Sequence, residues 1–349
     1  MGRDYVDDHR FYLYRAGGGP EDITRWVRQP QARDVLEALS VELTFQALRH
    51  DSYDKYMTWP GIQPGDQLRV VNHGTELFAG VVLSVGLDGS VTANDQGWYL
   101  TKSEIVFQAA NAAADDAIRR MCAKAGIRAG DLPSLPTRIT EVWTGDTPET
   151  ILQDILAVCS AETGKQYKRR VRGGALSVTE LPTQAITAWH KPADNLAPFD
   201  VTTAKGPVSG RDSMEALVNS VVLTGGRGDK VMELGRGYNP QSVARYGLLQ
   251  AVERLSGDED PAQARQRIRT LLDQGDRLTQ ERTVEELWGT DEVESGILLR
   301  FAPNTFGVAG DLRVTEVVHH YGPSHTMSVT VQDPAVGRAA GSADVIEAG

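Results

Sequence analysis

The chain has 349 residues, 40% hydrophobic and 24% charged, with 35 glycines and a formal net charge of -11. This is a soluble globular composition, long enough for two or three domains. The acidic balance argues against a surface built to neutralise nucleic-acid phosphates, so no specific nucleic-acid site is expected, although an acidic lumen that repels passing DNA is compatible with it.

The opening "MGRDYVDDHRFYLYR" is charged and lacks the apolar core of a leader. No run reaches membrane-spanning length, so the expectation is a chain folded in a cytoplasm with no membrane segment. From there to about Phe107 the chain reads as β. Candidate strands are 11–15, 23–29 and 38–48, then "QLRVVN" and "ELFAGVVLSV", which alternate with period two. In the latter, Leu77, Ala79, Val81, Leu83 and Val85 share one face, and Phe78, Val82 and Ser84 the other. Gly80 between them permits a bend or a close backbone approach. "GLDGS" (86–90) is a hairpin turn, and "EIVFQA" (104–109) is expected to close this first set of strands.

The period then changes. "NAAADDAIRRMCAKAGI" places Ala114, Ala117, Ile118, Met121, Cys122 and Ala125 on one helical face, with Asn111 as cap and Gly126 as stop. In "TPETILQDILAVCSAETG", Thr147 caps, Pro148 starts and Gly164 ends a second helix, whose stripe is Ile151, Ile155, Val158 and Cys159. Cys122 and Cys159 both fall on apolar faces and read as buried thiols; two cysteines alone make no zinc site. Strands "KQYKRRV" and "ALSVTEL" follow, joined at "RGG", and 190–200 reads as a linker. The last third returns to β: "LVNSVVLTGG" pairs with "DKVMELG", and "NPQSVARYGLLQAVERL" gives a short helix and a strand. "DPAQARQRIRTLLDQG" is a helix over 260–275 capped by Asp260, with Ala264, Ile268, Leu271 and Leu272 inward. Strands at 278–289 and 296–302 precede a long hairpin over 311–333 that turns at Gly322-Pro323. The small-residue end after Asp333 is expected to be a flexible or assembly tail.

Little of this points to catalysis. His319 and His320 fall on opposite faces of a strand, so with His325 across the turn they read as ordinary strand or rim residues rather than a metal site. "TGGRGDK" lacks phosphate-loop spacing and reads as a hairpin turn, its Arg-Gly-Asp included. The pairs Asp115-Asp116, Glu285-Glu286 and Asp291-Glu292 read as solvated, and "RRVR" (169–172) as a solvated or interface edge. There is no G-x-S-x-G and no H-E-x-x-H. No catalytic, cofactor-binding or metal-ligating residue is assigned, and no cofactor is expected.

Several stretches together resemble one family: "GDQLRVVNHGTELFAGVV", "WYLTKSEIVFQAANAAADDAIRRMCAKAGI", "DTPETILQDILAVCSAETGKQYKRR", "SVARYGLLQAVERL" and "VTEVVHHYGPSHTMSVTV". In this order they are similar to the XkdQ/YqbQ-type baseplate hub proteins of PBSX-like prophages, over about residues 35–333. "YGLLQ" and the closing hairpin weigh most, while the first 30 residues and the tail match nothing in the family. The resemblance implies an α+β, mainly β fold with two tail-tube-like antiparallel β-barrel domains, 1–109 and 201–333. An α+β insert with its linker would fill 110–200, and 334–349 would be a flexible tail.

It further implies a structural hub of a contractile phage tail, tailocin or related injection particle. Three chains would form a ring that joins a six-fold tail tube to a three-fold spike and lines the lumen. The implied partners are two further copies of the chain, the tail tube protein, the central spike protein, baseplate wedge or LysM-type adaptor proteins, and a tape-measure protein. The particle would be assembled in the bacterial cytoplasm. A tail-associated peptidoglycan hydrolase and a carbohydrate- or receptor-binding module are the competing readings. No segment is left over for a lytic domain, and no fibrous repeats appear.

Overall fold

Period-two alternation is realised as a long antiparallel sheet. The structure is a computed structural model that describes residues 6–48, 59–203, 206–225, 232–254, 261–302, 308–322, 324–333 and 345–348. Strand outweighs helix by 48% to 20% among the described residues, so the chain is mainly β as expected. Contacts divide it into two units that do not follow chain order. The first takes residues 1–102, 168–209 and 282–332, and the second takes 103–167, 210–281 and 333–349. The first unit therefore draws strands from all three of the segments 1–109, 110–200 and 201–333.

The first unit holds two apolar cores. One gathers Phe11, Leu13, Leu43, Phe45, Leu68, Val70, Phe78 and Val82 from the early strands. The other gathers Val284, Leu299, Phe301, Val314, Val317, Met327, Val329 and Val331 from the late ones. One ladder joins the two sets, because strand Val27–Val35 pairs with Glu42–Ala47 on one side and with Gly310–His320 on the other. The ladder is open: among the described residues its strand order runs between two ends and no sheet closes on itself.

Local chemistry sets the bends. In strand Thr75–Val85, Phe78, Gly80, Val81 and Val82 are buried, and the pairing slips between Val82 and Ser84. This bulge breaks the strict alternation expected at 77–85. A Cβ on Gly80 would overlap the Asn94 carbonyl and the Phe78 ring, so the close approach is real. The 86–90 turn closes with Gly89 at φ 91° and with Asp88 Oδ1 accepting from the Ser90 amide at 3.0 Å. Asp95 then caps a 3-10 turn over Gln96–Thr101. The following strand, Ile105–Ala113, pairs with Arg138–Asp146 in the second unit. "EIVFQA" therefore does not close the first set of strands.

In the second unit, α1 (Ala114–Lys124) buries Ala114, Ala117, Ile118, Met121 and Cys122. Its N-cap position is Ala113, and no side chain caps it there. Asn111 is instead a strand residue at φ 49°, and Gly126 ends the helix at φ 71° as expected. Helix α2 (Pro148–Thr163) has the expected Thr147 cap, at 3.2 Å from the Thr150 amide, and its Gly164 stop at φ 73°. Burial pushes both Cys122 and Cys159 up to about 11, so the free thiols are inert structural groups.

A four-stranded sheet centres on Ser220–Gly225. That strand runs antiparallel to Met232–Tyr238 and parallel to Gln250–Arg254. Helix α3 (Pro240–Tyr246) makes the crossover, with the Asn239 side chain accepting from the Gln241 and Ser242 amides. Helix α4 (Pro261–Gly275) covers the sheet with Ala264, Ile268 and Leu272. Val345–Ala348 pairs with Met232–Tyr238, so the last residues of the expected tail add a strand. The Asp260 cap, the 226–231 turn and residues 334–344 lie outside the described residues.

The basic run at 168–172 is not a solvated edge. Asp34 is buried and accepts from Ser295 (Oγ 2.8 Å, amide 3.1 Å), and Lys168 and Arg170 each approach it to 3.4 Å. Arg170 and Arg172 also bond Glu294, and Arg169 reaches the Glu37 carbonyl. Burial alone would raise the Asp34 and Glu294 carboxyls, but the cations around them hold both below their ordinary values. Their contribution to stability is therefore present above about pH 4 and is lost as pH falls through the lowered folded values. Asp34→Ala leaves Lys168 and Arg170 with Glu294 as their remaining carboxylate and Ser295 without its acceptor, and should cost about 3–5 kcal/mol. Denaturant unfolding at pH 7 checks the loss, and the gap to the parent chain should narrow on acidification.

Candidate functional site

The densest chemistry in the first unit comes from residues far apart in sequence. His9 opens strand His9–Tyr14 and lies opposite Asn72, the last residue of Gln67–Asn72. Asp7 lies two residues before that strand. His319 is near the end of Gly310–His320, and His325 stands just before Thr326–Gln332. Asp291 lies in the turn after Thr279–Trp288. The side chains of His9, Asp291 and His325 are at most 2% exposed, and that of Asp7 is 12% exposed.

The hydrogen bonds fix most of the polarity. Asn72 Oδ1 accepts from the Asp8 amide at 2.9 Å, so its amide nitrogen is the donor end. That nitrogen bridges Asp7 Oδ1 and Asp291 Oδ2, each at 2.7 Å. His9 Nε2 lies 3.2 Å from Asp291 Oδ1 and donates to it, which leaves His9 Nδ1 buried with no hydrogen-bond partner among the described residues. His319 Nε2 faces the Val293 carbonyl at 2.9 Å and must donate, so its Nδ1 accepts. His325 Nε2 meets that Nδ1 at 3.1 Å, and His325 Nδ1 meets Asp7 Oδ2 at 2.7 Å.

His325 is thus asked to donate at both nitrogens. Tyr321 is buried and stacks on the His319 ring at 5.7 Å. Burial and the neighbouring His325 push His319 down to about 4, so it is neutral at pH 7. Burial also pushes His325 down. Burial raises the Asp7 and Asp291 carboxyls, but their histidine partners outweigh it and hold both below the ordinary range.

His319 and His320 do face opposite sides, the first buried and the second half-buried. The hairpin nevertheless brings His325 beside His319, so these two are interior residues and not rim residues. Asp291, read from sequence as solvated, is also interior. No local motif marks Asp7, His9 or Asp291, because each is contributed by a different part of the chain. The one visible sign was the histidine pair itself.

A model of one protein family matches residues 33–332. The chain belongs to the YQBQ-like family. The resemblance read from the sequence is to the same family, and the match takes in Asn72, Asp291, His319 and His325 but begins after Asp7 and His9. Among solved structures, the chain is similar to the 43 kDa tail protein of prophage MuSo2 from Shewanella oneidensis. That pair has a TM-score of 0.59 and 12% identity, over 95% of this chain and 100% of that one. It is similar to a tail protein from Neisseria meningitidis MC58, with TM-score 0.60 and 13% identity over 95% and 98%. A third is prophage tail protein gp18 from Listeria monocytogenes EGD-e, with TM-score 0.55 and 10% identity over 93% and 94%. At these identities the likeness is one of fold. No curated protein matches the sequence.

Gly289 makes room for the cluster. A Cβ there would overlap the His325 ring, while the Gly289 amide donates to the His325 carbonyl at 2.9 Å. Gly289→Ala should displace His325 and destabilise the protein by about 1–3 kcal/mol. Gly322→Ala, where a Cβ meets nothing within 4 Å, should leave the melting temperature unchanged.

Proposed function

We propose that this protein is a structural baseplate hub of a contractile phage tail or phage-tail-like injection particle. The observation that carries the reading is the pair of β-sheet cores held side by side in one unit of a YQBQ-like chain. The fold likeness to three prophage tail proteins supports it. Two tube-like domains, drawn from 1–109 and from 201–333, give each chain two wall segments. Three chains then supply six, which matches a six-fold tube above to a three-fold spike below. The ladder is open, and its ends become edges that neighbouring copies cover when the ring closes.

A net charge of -11 suits a conduit through which DNA or a tape-measure protein must pass without sticking. In the second unit, Met232, Leu248 and Val252 are more than 60% exposed and offer apolar area to a spike, wedge or LysM-type adaptor protein. A peptidoglycan hydrolase would need two carboxyls across a cleft open to polysaccharide. Asp7 and Asp291 are instead enclosed and tied together by Asn72.

The test is electron microscopy with solution mass, on the protein alone and with its neighbouring spike protein. Three-fold rings with a central hole are expected, together with blank cell-wall zymograms. A chain that stays monomeric with the spike present overturns the hub reading.

A further inference from the structure

The buried cluster has a proton-counting problem. A neutral His325 carries one ring hydrogen, yet both its nitrogens face acceptors, His319 Nδ1 at 3.1 Å and Asp7 Oδ2 at 2.7 Å. His9 is the converse case, since its Nε2 is spent on Asp291 and its Nδ1 is buried without a hydrogen-bond partner among the described residues. The cluster also holds two carboxylates, Asp7 and Asp291, whose contacts include Asn72, His9 and His325.

We propose that Asp7, His9 and His325 form a binding site for a divalent first-row transition ion, with zinc the best fit to two imidazoles and a carboxylate. One ligand atom from each of the three lies within 4.8 Å of the others. In a tetrahedral site with bonds of about 2.0–2.1 Å, ligand atoms stand about 3.3 Å apart, so binding spreads the 2.7 Å contact between Asp7 Oδ2 and His325 Nδ1 and brings His9 into reach of both.

The ligand atoms follow from the hydrogen bonds. His9 binds through Nδ1 while its Nε2–H donates to Asp291. His325 binds through Nδ1 while its Nε2–H donates to His319, whose own Nε2–H is held by the Val293 carbonyl. Each ligating ring thus has its second nitrogen anchored, the arrangement that fixes tautomer and orientation at metal sites. Asn72 holds Asp7 from its far oxygen. A divalent ion held by Asp7 satisfies His9 Nδ1 and removes the need for a second proton on His325.

The ion would fasten the segment before the first strand to the turn at 289–293 and to the closing hairpin. Those are the two halves that carry the separate cores of the first unit. This inference does not depend on the hub reading.

The test uses the full chain purified without chelator. Elemental analysis should find about one transition ion per chain. Cobalt added after chelator stripping should give visible ligand-field bands and raise the melting temperature. His9→Ala should abolish the bands. Asp291→Asn, which keeps all three ligands and removes the carboxylate behind His9 that also accepts from Asn72, should weaken cobalt binding by roughly 10–100-fold. If a variant fails to fold, cobalt titration of the stripped parent chain decides alone. An ion-free chain whose melting temperature and spectrum do not respond to excess cobalt or zinc overturns the proposal. The cluster would then be held by an imidazolium at His325.

Discussion

The pairing of Gln31–Val35 with Glu316–His320 is the constraint on which the first unit rests. It joins residues more than 280 positions apart, as the bidentate Arg33–Glu316 contact across it shows. Without it the early and late strands would be two sheets with two exposed edges, each with its own core. With it they are one ladder, and His319 is delivered opposite Ala32 on the inward face. The bulge at Arg28/Gln31, with Gln29 at φ 49° and Pro30 beside it, bends the strand where it changes partners. Contacts of this range must close large loops before they are rewarded, so this ladder should be a late and slow element of folding.

Two polar groups of residues gather around that pairing. Asp34, at its centre, draws in Lys168, Arg170 and Ser295, and so ties the 167–172 strand and the 290–297 loop to it. At its end, His319 passes the connection to His325, Asp7 and Asn72. Buried charges contribute weakly to net stability but are costly to break, which makes both groups better at selecting one arrangement than at strengthening it.

The second unit reaches its order differently. Helix caps and stops are local, and the Thr147, Pro148 and Gly164 signals are realised as read. The Asn219–Asn239–Asp276 group is not local: Asn239 caps α3, bonds Asp276 and is held by the Asn219 carbonyl. It seats the turn before Leu249, whose amide donates to Asn219 Oδ1 at 2.9 Å. The "YGLLQ" stretch that weighed in the family resemblance is therefore the turn that feeds the parallel strand Gln250–Arg254.

The sequence by itself determined many of the elements, although strands Val27–Val35 and Arg138–Asp146 were not among those read from it. Alternation marked the strands, 3.6-residue spacing marked α1, α2 and α4, and turn glycines marked the hairpins, because each depends on neighbours a few positions away. The ordered series of such stretches also carried the family. Tertiary structure alone decided the partners. It decided that 105–113 pairs with 138–146 rather than closing the first sheet, and that 345–348 joins a sheet. It turned the basic run at 168–172 toward Asp34, and it brought Asp7, His9, Asp291, His319 and His325 to one buried point. Spacing along the chain encodes local periodicity and says nothing about which distant strands share a ladder, so side chains that meet only across such a ladder leave no pattern to read.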